Sequence, residues 1–121
     1  MKTCLVVDDS RVIRTVACRI LQGLSFETVE AENGAEALMM CRRQMPDVIL
    51  LDSQMPQMTG IDFLKSLRSE LGERRPLILF CTTENDTNHI GEALGAGADE
   101  YILKPYDQIS LKAKLVDVGL I

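Results

Sequence analysis

The sequence predicts an α/β fold: a doubly wound, five-stranded parallel sheet in strand order 2-1-3-4-5 with helices on both faces. Three observations predict it. Strand-like and helix-like patterns alternate five times along 121 residues with short links, the pattern of a parallel sheet covered on both sides. Three of the strand patterns are near-continuous apolar runs that belong in the centre, and two are half-polar and belong at the edges. Right-handed crossovers with strands 2 and 5 outermost are satisfied by the order 2-1-3-4-5.

Each element has a local reason. Thr3 to Val7 is an apolar run that stops in Asp8-Asp9-Ser10. Ile13, Val16, Ala17, Ile20 and Leu21 then recur at i, i+3, i+4, i+7 and i+8, one face of a helix, with Ser10 as N-cap and Gly23 as stop. Phe26 to Ala31 is a more polar strand. Asn33-Gly34 punctuates, a helix follows with Ala37, Leu38 and Cys41 inward, and Met45-Pro46 ends it. Asp47 to Asp52 is a second apolar strand, also ending in a carboxylate. After a loop with Pro56 and Gly60, Ile61, Leu64, Leu67 and Leu71 mark the third helix. Pro76 to Cys81 is the third apolar strand and runs into Thr82-Thr83-Glu84. Ile90, Ala93, Leu94 and Gly97 mark a helix, and Asp99 to Leu103 a half-polar strand ending in Lys104-Pro105. Leu111, Leu115 and Val118 form the last helix.

Composition narrows the function. An apolar fraction of 46% and a charged fraction of 26% describe one globular domain over residues 1–121, not a disordered chain. A net charge of -5 without a Lys/Arg cluster argues against nucleic acid as a partner. No apolar run approaches the roughly 20 residues of a membrane span, and Met1-Lys2-Thr3 leaves no room for a signal peptide before the first strand. A cytoplasmic protein is expected. Cys4, Cys18, Cys41 and Cys81 show no CxxC spacing and read as reduced, buried thiols. His89 has no Cys or His neighbour and reads as a helix-surface residue.

The chemistry gathers on one rim. In a parallel sheet all C-terminal strand ends lie together, which collects Asp8 and Asp9, Asp52, Thr82 and Lys104. Winding reverses between strands 1 and 3, and the crevice there is the expected ligand site of such a sheet. With neighbouring strands about 4.8 Å apart, the three carboxylates crowd unless a cation joins them. Oxygen ligands suit Mg²⁺ or Mn²⁺. A carboxylate nucleophile, a divalent cation, an amine and a hydroxyl form a phosphoryl-transfer set. Asp52, alone at the centre of the rim, is the candidate nucleophile. Singly, each feature has a plainer reading. Asp8-Asp9 can start a turn, Asp52 can cap one, Thr82 or Thr83 can cap the next helix, and Lys104-Pro105 can end a strand. Their joint occurrence on one rim favours chemistry.

The stretches "VVDDS" (6–10), "ILLDSQMPQMTG" (49–60), "CTTE" (81–84) and "GAGADEYILKPY" (95–106) resemble the receiver domain of two-component response regulators, the CheY-like superfamily. The resemblance runs from Cys4 to about Leu115. It implies a flavodoxin-like fold and a phosphoprotein in which Asp52 accepts a phosphoryl group from a histidine kinase or phosphotransfer protein. Mg²⁺ would be held by Asp9, Asp52 and the backbone carbonyl of Gln54, with Asp8 acting through water. Lys104 would contact the phosphoryl group, and Lys104-Pro105 would be a cis peptide. Thr82 and Tyr101 would form the switch, altering how the fourth helix, fifth strand and fifth helix bind a downstream protein. Gln54 and Glu84 would tune the phosphoryl lifetime. Such a chain is no turnover enzyme and promotes only its own phosphorylation and dephosphorylation.

The sequence stops at Ile121, so a stand-alone receiver without an output domain is expected. "DEYILKPYD" resembles receivers that dimerise to bind DNA, but "DQISLKAKLVDVGLI" carries no arginine, which favours a monomer over a dimer. Tyr106 and Thr87-Asn88-His89 are candidate contact residues. The alternatives are a phosphorelay intermediate, a scaffold that signals without phosphate, and a metal-dependent phosphatase with an Asp nucleophile. The last would need a substrate-recognising cap. A nucleotide switch lacks GxxxxGK[ST], and a flavin site lacks a phosphate loop and aromatics, which make up 4%.

Overall fold

A computed structural model of the chain describes residues 1–55, 57–71, 76–83 and 87–121, leaving aside the side chains of Leu71 and Thr87. The elements are β1 (Thr3–Val7), α1 (Arg11–Gly23), β2 (Glu27–Ala31), α2 (Gly34–Arg43), β3 (Val48–Asp52), α3 (Gly60–Leu71), β4 (Leu77–Thr82), α4 (Thr87–Gly95), β5 (Glu100–Leu103) and α5 (Gln108–Asp117). The strands are parallel in the order β2-β1-β3-β4-β5. The expected flavodoxin-like arrangement is present.

Strand composition set the order. β3 is buried along its whole length, and β1 and β4 at every position but the first. β2 and β5 keep exposed or half-buried positions because each has one neighbouring strand. Alternation then divides the core. Leu5, Val7, Ile49, Leu51, Ile78 and Phe80 face α2, α3 and α4. Cys4, Val6, Val48, Leu50, Leu79, Cys81 and Ile102 face α1 and α5. All four cysteines are free and buried, as read from their positions.

Caps fix where the helices begin. The Ser10 hydroxyl accepts from Ile13 N at 3.3 Å, and Asn33 Oδ1 accepts from Glu36 N at 2.8 Å. Asp107 and Ser110 close a reciprocal capping box on α5. Gly23 ends α1 as expected, and the left-handed turn falls on Ser25 at φ 71°. α4 is described from Thr87, and a cap at Thr82 or Thr83 turns on residues 84–86, which lie outside the described residues.

The opposite rim holds a compact clamp. Buried Arg68 of α3 donates from Nε and Nη2 to Gly97 O at 3.1 and 2.7 Å, and from Nη2 to Asp99 Oδ2 at 3.2 Å. The same Asp99 oxygen accepts from Ile78 N at 2.7 Å. Gly97 has φ +115°, and a Cβ there would stand 2.8 Å from Arg68 Cγ, so glycine is required for both reasons. Among the described residues no helix is long and apolar enough to cross a membrane.

Candidate functional site

Register brings the rim residues together. Val7 lies opposite Leu51, so the residues that follow, Asp8 and Asp52, end adjacent strands side by side. Strand parity sorts the side chains. Asp8, Asp52 and Lys104 each stand two residues beyond a side chain of the α1/α5 face, namely Val6, Leu50 and Ile102. Thr82 stands two beyond Phe80, and Tyr101 pairs with Phe80, so these two belong to the α4 face. The predicted site residues thus separate into an ionic group and a hydroxyl pair across the end of the sheet.

The ionic group is tightly joined. Lys104 Nζ donates to Asp8 Oδ2 at 2.8 Å and to Asp52 Oδ1 at 2.7 Å. Asp8 and Asp52 are buried and Asp9 is exposed, and carboxylate oxygens of all three lie within 4.8 Å of one another. One ammonium faces three carboxylates. Burial pushes the Asp52 carboxyl above its ordinary range, and the charge of Asp8 adds to this. The hydrogen bonds from Lys104 and from the Gln54 backbone N–H pull it back without cancelling the rise. Burial pulls Lys104 down, but its bonds to Asp52 and Asp8 outweigh that and raise it. The two directions have different origins: burial dominates at Asp52, and the paired carboxylates dominate at Lys104, whose one ammonium is shared between Asp8 and Asp52. A hard divalent cation would remove the surplus negative charge, and an all-carboxylate donor set without sulfur or imidazole suits one. The residues present fit such a group.

The main chain holds the pocket in shape. Ser53 N donates to Cys81 O at 2.8 Å and Lys104 N to Thr82 O at 2.9 Å, extending the ladder past both functional strand ends. The Lys104-Pro105 peptide is cis, as the resemblance implied. Gly60 N donates to Ser53 O at 3.0 Å, and a Cβ on Gly60 would stand 2.5 Å from the Asp52 carbonyl. α3 therefore begins hard against the strand that carries Asp52.

The remaining candidates are dispersed around this pocket. Thr82 is fully buried at the end of β4. Tyr101 is half-buried on β5, with Lys114 Nζ 4.5 Å over its ring. Gln54 is exposed, and Glu84 lies outside the described residues. Tyr106 is half-buried and lines a cavity of about 350 Å³ with Val12, Ile13, Val16 and Pro105. Asn88 is exposed. The surface reading of His89 does not hold: its ring packs against Phe80 at 5.6 Å, and its Nε2 is buried without a hydrogen-bond partner among the described residues. Sequence reasoning missed the backbone donors, Ser10 N to Asp8 Oδ1 at 2.9 Å and the Gln54 N–H on Asp52, because main-chain groups leave no compositional trace.

Comparison with known proteins agrees with this geometry. The chain is 38% identical over 112 residues to the chemotaxis protein CheY-3 of Vibrio cholerae, covering 92% of this chain and 86% of that protein. It is 36% identical over 111 residues to the DNA-binding response regulator MtrA of Mycobacterium tuberculosis, covering 92% of this chain and 47% of the other. It spans about half the length of the mycobacterial regulators it matches. The solved structure of the chemotaxis response regulator CheY4 of Vibrio cholerae superposes with a TM-score of 0.91 at 35% identity, covering 98% of each chain. The strand order seen here is the one already known for that fold. Residues 4–116 match the family model for the response regulator receiver domain, and the chain belongs to that family.

Proposed function

We propose that this domain is a phosphorylation-dependent protein switch whose phosphoacceptor is Asp52. The observation that carries the proposal is the Lys104 ammonium bridging Asp8 and Asp52 at 2.8 and 2.7 Å beside a third carboxylate. A phosphohistidine of a histidine kinase or phosphotransfer protein is the donor. An Asp52 oxygen forms the new O–P bond as the P–N bond breaks, and the imidazole leaves with the electron pair and is protonated. Lys104 binds a phosphoryl oxygen, and Thr82 donates its hydroxyl to another. Asp9, Asp52 and the Gln54 carbonyl, with Asp8 through water, would hold Mg²⁺, or Mn²⁺ in its place, which would supply positive charge to offset the phosphoryl oxygens.

Thr82 and Tyr101 share the α4 face, so drawing Thr82 toward the rim changes the space open to Tyr101. The face of α4, β5 and α5 then changes its affinity for a protein target. Gln54 and Glu84 set how long the acyl phosphate lasts. The domain works in the cytoplasm, where its four unpaired thiols stay reduced.

The test is direct. Incubation with acetyl phosphate and Mg²⁺, followed by mapping of the modified residue, places the label on Asp52. The label is absent in Asp52→Ala and in the presence of a chelator. Absence of label with acetyl phosphate, phosphoramidate and a phosphohistidine donor alike would replace this reading with that of a phosphate-independent scaffold.

A further inference from the structure

We infer that Arg14 is a positioning residue for the cation pocket, acting on Asp9 through the main chain of Asp8. The inference rests on the reading of the three carboxylates as a divalent-cation site. Arg14 lies in the first turn of α1 with its side chain largely buried, 12% exposed. Its Nη1 donates to the Asp8 carbonyl at 2.6 Å, and its Nε donates to Glu30 Oε1 at 3.0 Å. Glu30 precedes Ala31 on β2, whose carbonyl accepts from Asp8 N at 3.2 Å. With Ser10 N on Oδ1 and Lys104 on Oδ2, every polar group of Asp8 is engaged.

Asp9 is the opposite case. It is exposed, and among the described residues its carboxylate takes no hydrogen bond. The Asp8 carbonyl and the Asp9 amide belong to one planar peptide unit. Fixing that carbonyl fixes the plane from which the Asp9 side chain departs toward Asp52. Arg14 is the side chain that does the fixing, and Glu30 holds Arg14 in place. Glu30 also balances the guanidinium charge, so the effect of Arg14 on a cation is geometric and does not come from repulsion. Loss of a partner that orients a metal ligand typically weakens metal binding by about 10–100-fold.

Calorimetric titration of Mg²⁺ into the metal-free protein tests this. Arg14→Met should bind Mg²⁺ about tenfold more weakly than wild type, the low end of that range. Arg14→Lys, which keeps the charge but cannot make both bonds, should fall between the two. In an Asp9→Ala background, Arg14→Met should have no further effect, which separates action through Asp9 from a general loss of packing. Wild-type affinity in Arg14→Met, or tighter binding, overturns the inference. Additive losses in the double variant overturn it as well. If Arg14→Met does not fold, wild-type affinity in Arg14→Lys is decisive against it. Failure of the wild-type protein to bind Mg²⁺ would instead overturn the cation-site reading itself.

Discussion

The two rims of the sheet use the same ingredients to opposite ends. At the N-terminal rim one guanidinium, Arg68, meets one carboxylate, Asp99, and the remaining contacts are a carbonyl and an amide. At the C-terminal rim one ammonium, Lys104, meets Asp8 and Asp52, with Asp9 close by. The first centre is balanced in charge and ties α3, β4 and the turn before β5 together. The second carries more negative charge than its cation can offset. A buried pair whose charges cancel acts as a clamp, whereas surplus carboxylates make a place for something to bind. The comparison teaches that charge balance, more than the presence of ion pairs, separates the structural centre from the functional one.

The largest effect should appear when each centre is disabled in turn. Asp52→Asn should abolish labelling by acetyl phosphate, whereas Asp99→Ala, assayed where it remains folded, should still be labelled. Labelling of Asp52→Asn would break the distinction. Stability should move in opposite directions. Asp99→Ala leaves Arg68 buried without its carboxylate and should cost about 3 kcal/mol, the low end for breaking a buried pair because Asp99 is partly exposed. Asp52→Asn relieves like-charge crowding and should stabilise the metal-free protein by about 1 kcal/mol. Denaturant unfolding of both variants checks this, and destabilisation by Asp52→Asn would show the rim to be balanced after all.

Metal binding sharpens the contrast further. Asp9→Ala should weaken Mg²⁺ affinity about tenfold or more, worth roughly 1.4 kcal/mol, measured by calorimetry. Unchanged affinity would remove Asp9 from the ligand set.

A smaller effect is expected from pH. The Asp52 carboxyl is raised in the folded state, so between its unfolded and folded values the native protein binds more protons than the unfolded chain. Its contribution therefore falls as pH rises through the weakly acidic range above ordinary carboxylates. Lys104 is also raised, and its contribution is fully present below the unfolded value of 10.5 and is lost as pH rises through the folded value. The stability difference between wild type and Asp52→Asn, measured without metal from pH 4 upward, should grow in favour of the variant. A difference independent of pH would contradict the raised carboxyl. The smallest change should come from Gln54→Ala, which should alter acyl-phosphate decay while leaving Mg²⁺ affinity nearly intact, as followed by label loss over time.

These contrasts show what could be read from residues in order. The apolar runs Leu5–Val7, Val48–Leu51 and Ile78–Cys81 announced central strands because burial on both faces demands continuous hydrophobicity. The order followed from the polarity of the two edges, and the order delivered Asp8, Asp52 and Lys104 to one rim. The division of the site by strand parity was not legible, since β3 and β4 are apolar on both faces and only the register of Asp52 against Cys81 puts Thr82 on the other face. Arg14 and Arg68 were not legible. Each is a basic residue on an amphipathic helix, and its partner is a backbone carbonyl whose position depends on the finished fold. His89 was misread for the same reason, since Phe80 on β4 supplies its contact and nothing near it in the chain foretells this.

The four buried cysteines turn the molecule into its own reporter of motion. Cys18 and Cys41 sit on the inward faces of α1 and α2, whereas Cys4 and Cys81 lie on central strands, and burial raises all four thiols. A thiol reagent added to the native protein therefore reacts only through opening, and each cysteine reports a different depth. Cys18 and Cys41 time the undocking of α1 and α2, and Cys4 and Cys81, which face α1 and α5, time the opening of that helical layer from the sheet. Cys81 stands in register with Asp52. Its modification rate with and without acetyl phosphate would follow how firmly the phosphorylated strand is held, with no label introduced.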